Sequence, residues 1–117
     1  MSAEVDAVRS VIESYVRGSK EGDAALLRGL FHPDAVMMGY MGGQLLSGSP
    51  EPFFQHADGS PQDDSYEGSV GDLRVDGDVA TATLYERGFS GLDFVDHFHL
   101  LREEGTWRIT SKIFHHS

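Results

Sequence analysis

Apolar residues at Val5, Val8, Val11, Ile12, Tyr15 and Val16 recur every three or four positions. That spacing places them on one face of a helix and predicts one over roughly residues 3–20. Gly22 suits the end of this helix, and Asp23 suits the N-cap of the next. Ala24 to Phe31 reads as a short second helix with Leu26, Leu27, Leu30 and Phe31 apolar. His32-Pro33 ends it, because the residue before a proline is pushed out of the helical region. The pattern then changes. Ala35 to Met41 is a short apolar strand closed by Gly42-Gly43, and Gln44 to Leu46 can pair back as a hairpin. Ser49-Pro50 is an N-cap followed by a proline at the first helical position, which predicts a third helix over 50–57 carrying Phe53 and Phe54. The stretch from Asp58 to Asp64 is polar and turn-rich and predicts a mobile loop near the mouth of a pocket. Four strands follow, at 65–75, 78–88, 92–103 and 106–115. Asp76-Gly77 is a strong hairpin signal; Gly88 to Gly91 and Glu103-Glu104-Gly105 serve the other two turns. The order α-α-β-β-α-β-β-β-β predicts an α+β fold. No internal repeat, linker or low-complexity tract interrupts it.

Composition narrows the picture. A length of 117 residues is expected to form one domain, and 39% apolar with 24% charged residues is an ordinary globular mix. The net charge of −10 repels phosphate backbones and anionic membrane surfaces, so neither nucleic acid nor a membrane is an expected partner. No cysteine is present, which excludes disulfides, thiolate nucleophiles and zinc–cysteine sites and fits a reducing cytoplasm. The first residues carry Glu4 and Asp6 where a signal peptide would carry Lys or Arg. No apolar run approaches the ~18 residues of a membrane span. A cytoplasmic location is expected.

The most unusual segment is the strand from Leu92 to Leu101. Period-two alternation puts Phe94, Asp96, Phe98 and Leu100 on one face and Val95, His97, His99 and Leu101 on the other. Desolvation on such an apolar face would raise the pKa of Asp96, letting it stay protonated and donate a hydrogen bond; alternatively the face is partly wet and Asp96 pairs with an arginine or caps a turn. Tyr15, on the stripe of the first helix, either points into the same cavity or is a core tyrosine with its hydroxyl at the rim. Met37, Met38, Tyr40 and Met41 can line a pocket or fill a core. Trp107, Ile109 and Ile113 would anchor the last strand, with Lys112 on the opposite alternation beside Thr110 and Phe114, free to meet an anionic ligand, pair with Asp96 or sit in solvent. His97 and His99 with His115 or His116 could form a metal site, but paired histidines are more often exposed or at an interface. Neither a metal nor a cofactor is expected. No phosphate loop, HExxH or Gly-x-Ser-x-Gly element appears.

Val11-Ile12-Glu13-Ser14-Tyr15-Val16, Glu21-Gly22-Asp23 and Leu30-Phe31-His32-Pro33-Asp34-Ala35 resemble the opening of the nuclear transport factor 2-like superfamily. The Ser47-Gly48 turn and the ending Gly105-Thr106-Trp107-Arg108-Ile109 fit as well, so the resemblance covers nearly the whole chain. Within it the chain is similar to the Putative lumazine-binding family in FHPDAVMMGYMGGQLLSG and FVDHFHLLREEGTWRITSKIFH. The resemblance implies a curved, mostly antiparallel sheet wrapped around N-terminal helices as a cone with an internal pocket, and it implies homodimers. The superfamily includes ketosteroid isomerase, in which an apolar site keeps a carboxylic acid neutral so that it can donate a hydrogen bond. Against that enzyme Tyr15 matches the helix-one tyrosine and Asp96 the oxyanion-hole acid. The general-base position falls on Gly39, which leaves steroid isomerisation without its base.

The leading expectation is a pocket protein for a small hydrophobic or aromatic ligand. Tyr15 and Asp96 would hydrogen-bond a ligand oxygen, Met37, Tyr40, Phe54, Phe98 and Phe114 would supply the apolar wall, and Lys112 would complete the site. A second reading is an acid–base lyase, isomerase or cyclase of the SnoaL-like kind, whose base would be His32, His56 or Asp93. A third is a structural dimerisation module, with the sheet face carrying His97 and His99 packed on a twin.

Overall fold

The computed structural model describes residues 2–117. Helix α1 (Ala3–Glu21) begins at Ser2, whose hydroxyl accepts from the backbone N–H of Glu4 and Val5, and ends at Gly22 in the left-handed region. Helix α2 (Ala24–Leu30) is capped by Asp23, whose carboxylate accepts from Leu26 N–H. Six strands and one more helix follow: β1 (Phe31–Met41), β2 (Gln44–Gly48), α3 (Glu51–Ala57), β3 (Glu67–Asp76), β4 (Val79–Phe89), β5 (Leu92–Glu103) and β6 (Thr106–His116). They form one sheet in the order β2-β1-β6-β5-β4-β3. Every neighbouring pair is antiparallel except β1 with β6. Among the described residues, no helix is long and apolar enough to cross a membrane.

The boundaries at Phe31 and Pro50 differ from expectation. Phe31 starts β1 instead of ending α2: its backbone is extended, it sits beside Ile109 of β6, and its ring is buried. Tertiary packing of that ring overrides the local helical pattern, and the irregular register between Phe31 and Val36 absorbs Pro33, which has no N–H to give a ladder. Helix α3 starts one residue later than the Ser49-Pro50 pair suggests, with Pro50 as its N-cap and Ser49 Oγ still accepting from Glu51 N–H at 3.1 Å. Gly42 and Gly43, both at positive φ, make the tight turn between β1 and β2.

The sheet curves because three strands carry an extra residue. The register slips between Val70 and Leu73 in β3, between Glu86 and Phe89 in β4, and opposite His99–Leu100, where β6 spends Thr110. Each bulge bends its strand and sharpens the twist. The concave face receives α1, which buries Val8, Ile12, Tyr15 and Ser19, residues spaced four, three and four apart. The core continues through Leu27, Phe53, Phe54, Leu84, Phe98, Leu100 and Ile109.

The bulge at Thr110 corrects the expected alternation of β6. Trp107 and Ile109 face inward as anticipated, but the extra residue shifts the phase, so Lys112 and Phe114 join the same inner face while Ile113 turns outward. The 58–64 segment is also better held than a mobile loop would be. Gly59 N–H donates to Gly22 O, Gln62 N–H to Lys20 O, and Ser90 N–H to Gln62 Oε1 at 2.7 Å.

Candidate functional site

Between α3, the open ends of β4–β6 and the β1–β2 hairpin lies a cavity of about 320 Å³. Its wall is mostly apolar, with Met37, Phe53, Phe89, Phe94 and Phe114 prominent. The polar groups on it are Glu86, Lys112, His56 and Ser90. His56 Nε2 and Ser90 Oγ are 3.0 Å apart at the rim.

Beneath this wall the chain buries an unusual set of polar side chains. Glu86, Asp96 and Lys112 all come from the inner face of neighbouring strands, and each is at most 6% exposed. Their register explains the grouping: Glu86 pairs with Phe94, Asp96 with Phe114, and Lys112 with Phe98, so the three charges run diagonally across β4, β5 and β6. Tyr66, buried at the start of β3, donates its hydroxyl to Glu86 Oε2 at 2.6 Å. The Asp96 oxygens take no hydrogen bond from a hydroxyl, amide or amine; the carboxyl meets that of Glu86 instead. Two carboxyls can hydrogen-bond only when one of them is protonated.

The electrostatics agree. Glu86 is held well above the usual glutamate range, first by burial and then by the Asp96 carboxyl as hydrogen-bond partner and like charge. Lys112 and the Tyr66 hydroxyl pull the other way without prevailing. Glu86 therefore holds its proton to a higher pH than an ordinary glutamate does. Burial, followed by the nearby acids, also raises Tyr15, so its phenol stays protonated.

The expected site residues do not all reach the cavity. Met37, Lys112 and Phe114 line the cavity, as does Met41. Tyr15, Asp96 and Phe98 lie together under the wall: Tyr15 stacks on Phe53 at 5.4 Å and meets Phe98 edge-on at 5.0 Å. Among the described residues, the Tyr15 hydroxyl is buried with no partner, as is Ser19 Oγ. Phe54 packs behind, edge-on to Phe31 at 5.1 Å and under the Arg28 guanidinium. Tyr40 does not belong to the wall. It is 63% exposed, because inward Met37 and Gly39 leave Met38 and Tyr40 on the outer side of β1.

Of the three candidate bases, His56 alone faces the cavity. His32 sits 3.4 Å from Glu103, and Asp93 of β5 accepts from Gly88 N–H of β4. His97 and His99 contact Thr83 and Ser111 on the outer face, while His116 Nε2 accepts from Gly42 N–H. Gly39 cannot carry a base: a Cβ there would lie 2.6 Å from the Phe114 carbonyl oxygen and 2.8 Å from its ring.

The residue that sequence reading passed over is Glu86, with its partner Tyr66. The signal was present: Ala80, Ala82, Leu84 and Glu86 alternate in one phase, which puts an acid at the end of an inward-facing row.

A curved six-stranded sheet folded over α1 and α2, with a pocket at one end, is the nuclear transport factor 2-like arrangement. Residues 3–115 match the family described as Putative lumazine-binding, and the chain belongs to it. It is similar to the aldolase FrzH of Cladobotryum sp, at 30% identity over 115 residues spanning 97% of this chain and 92% of that protein. Two solved structures share the fold across all of this chain. One is an NTF2-like protein of unknown function from Shewanella baltica OS155, with TM-score 0.90, 27% identity and 98% of that chain covered. The other is from Methylobacillus flagellatus KT, with TM-score 0.93, 25% identity and 95% covered. A ketosteroid isomerase-like protein from Erwinia carotovora atroseptica is similar in fold, with TM-score 0.73 at 13% identity, over 97% of this chain and 96% of that one.

Proposed function

We propose that the chain binds a small, mostly apolar carbonyl compound in this cavity and moves a proton on it, with the Glu86–Asp96 pair as acid and base. The observation that carries the reading is a buried carboxyl, that of Glu86, at the cavity wall. Glu86 faces the cavity, and burial together with Asp96, fully enclosed behind it, holds Glu86 above the usual glutamate range. A carboxyl raised by burial is the kind of group that general acid–base catalysis uses. The cavity lies at the low end of the roughly 300–1,000 Å³ usual for ligand sites, which suits one or two rings. The similarity to a protein named as an aldolase supports carbonyl chemistry, since aldol bond formation starts by removing a proton beside a carbonyl group. Tyr15 and Asp96 act in this reading from under the wall, through Glu86.

The test is proton exchange at the carbon beside the carbonyl of 2-tetralone in D2O, followed by NMR. Wild type should exceed the buffer rate, and Glu86→Gln should lose about a hundredfold of that acceleration. Wild-type exchange no faster than buffer would refute the assignment.

A second copy of the chain is the expected partner. Val36, Met38, Tyr40, Tyr85 and Ile113 stand exposed on the outer face of the sheet. Met38, Ile113, His97 and Thr83 follow one another across it. Such a patch supports pairing of two sheets face to face.

A further inference from the structure

We infer that Lys112 is a covalent anchor, its amine condensing with the carbonyl group of the ligand to form an iminium. The inference rests on the carbonyl reading above and deepens it. The chain has two lysines, Lys20 and Lys112. Lys20 is exposed at the end of α1, as lysines usually are. Lys112 is 6% exposed and lines the cavity. Its position depends on the Thr110 bulge, which turns it inward.

Its surroundings are those of an amine prepared for chemistry. Among the described residues, Lys112 takes part in no ion pair within 4.0 Å, although the chain carries 19 acids. Nζ lies instead over aromatic faces, 4.0 Å from the centre of Phe53, 5.3 Å from Tyr15 and 5.5 Å from Phe114. An amine in an apolar pocket beside a titratable group is a recognised arrangement for attack on a carbonyl. Glu86 lines the same cavity and feels the Lys112 charge. The cavity offers no second lysine or arginine with which to clamp a carboxylate.

In the condensation, Lys112 passes one proton to the Glu86–Asp96 pair, and the freed lone pair of Nζ forms a bond to the carbonyl carbon. The carbonyl oxygen takes a proton from the pair, giving a carbinolamine. The oxygen takes a second proton, which the nitrogen gives up through the pair, and leaves as water while the carbon–nitrogen double bond forms. The iminium draws electrons from the neighbouring carbon, whose proton Glu86 can then remove.

The experiment is reductive trapping. The protein is incubated with 2-tetralone and sodium cyanoborohydride, and the adduct is located by intact mass and peptide mapping. One adduct per chain is expected, on Lys112, with Lys20 as the internal surface control. Lys112→Arg, which keeps the charge, should abolish trapping, and Glu86→Gln should slow it about a hundredfold. Lys112→Met serves the same purpose should the arginine not fit, with melting curves to confirm folding. If wild type exchanges the protons of 2-tetralone yet gives no adduct, or labels Lys20 as fast as Lys112, the covalent role is overturned and proton transfer stands. Full exchange activity in Lys112→Arg would overturn it equally. Neither exchange nor adduct overturns both.

Discussion

Replacing Tyr66 with Phe removes one hydroxyl and little else. The ring is 2% exposed and packs edge-on to Phe89 at 5.9 Å, so its apolar contacts survive. What is lost is the 2.6 Å hydrogen bond to Glu86 Oε2. Against a protonated carboxyl that bond contributes about 1 kcal/mol, and against a carboxylate roughly 1.5–3 kcal/mol. The cost of Tyr66→Phe should therefore grow with pH, from about 1 to about 2 kcal/mol across the titration of Glu86. The direction follows from proton linkage. Glu86 is raised above its ordinary 4.5 in the folded chain, so the fold holds a proton that the unfolded chain releases. The stability tied to this group is full below 4.5 and is lost as pH rises toward the raised value. The Tyr66 hydroxyl opposes that loss by stabilising the ionised form, and without it the decline is steeper. Urea unfolding followed by circular dichroism, at about pH 5 and about pH 8, would measure the effect in wild type, Tyr66→Phe, Glu86→Gln and the double variant. Glu86→Gln should flatten the pH dependence, and most of the Tyr66 effect should vanish in its background. A Tyr66→Phe cost that is the same at both pH values, or that persists undiminished in the Glu86→Gln background, would refute the argument that this hydroxyl serves a titrating carboxyl.

Two further outcomes follow from geometry. Gly39→Ala forces a methyl group onto the Phe114 carbonyl where β1 meets β6; it should cost about 1–3 kcal/mol, and a melting temperature equal to wild type would contradict this. Ile113→Lys, at a position 52% exposed on the outer face, should leave the melting curve of the isolated chain unchanged but shift sedimentation toward the monomer; a wild type that sediments as a monomer would remove the case for pairing.

What the sequence discloses depends on how local the cause is. Helix α1 is legible because its stripe, its Ser2 cap and its terminal Gly22 lie within one segment. The turns at Gly42-Gly43 and Asp76-Gly77 are legible for the same reason. Asp96 stands out because it interrupts an apolar face between Phe94 and Phe98. Glu86 escapes because it follows small residues, Ala80 and Ala82, near a strand end where an acid looks like surface. Its meaning comes from Asp96 and Tyr66, which are adjacent to it only after β3, β4 and β5 have paired. Lys112 and Phe114 are legible as wall residues, but that Trp107 and Ile109 share their face is not, because alternation assumes an unbroken strand and one bulge reverses every assignment beyond it. Phe31 is misassigned because its helical neighbourhood is overruled by a parallel partner far along the chain.

The Thr110 bulge makes the inner face of β6 a question of parity. Whether Lys112 and Phe114 point into the molecule is decided by the number of residues between Ile109 and Lys112, more than by which residues they are. Swapping one side chain for another in that stretch leaves the count intact. Losing one residue would exchange inside for outside, sending the amine to solvent and bringing Ile113 and His115 inward. The site thus tolerates spelling changes but not a change in length, and an alignment that opens a gap here pairs a cavity lysine with an outward-facing residue.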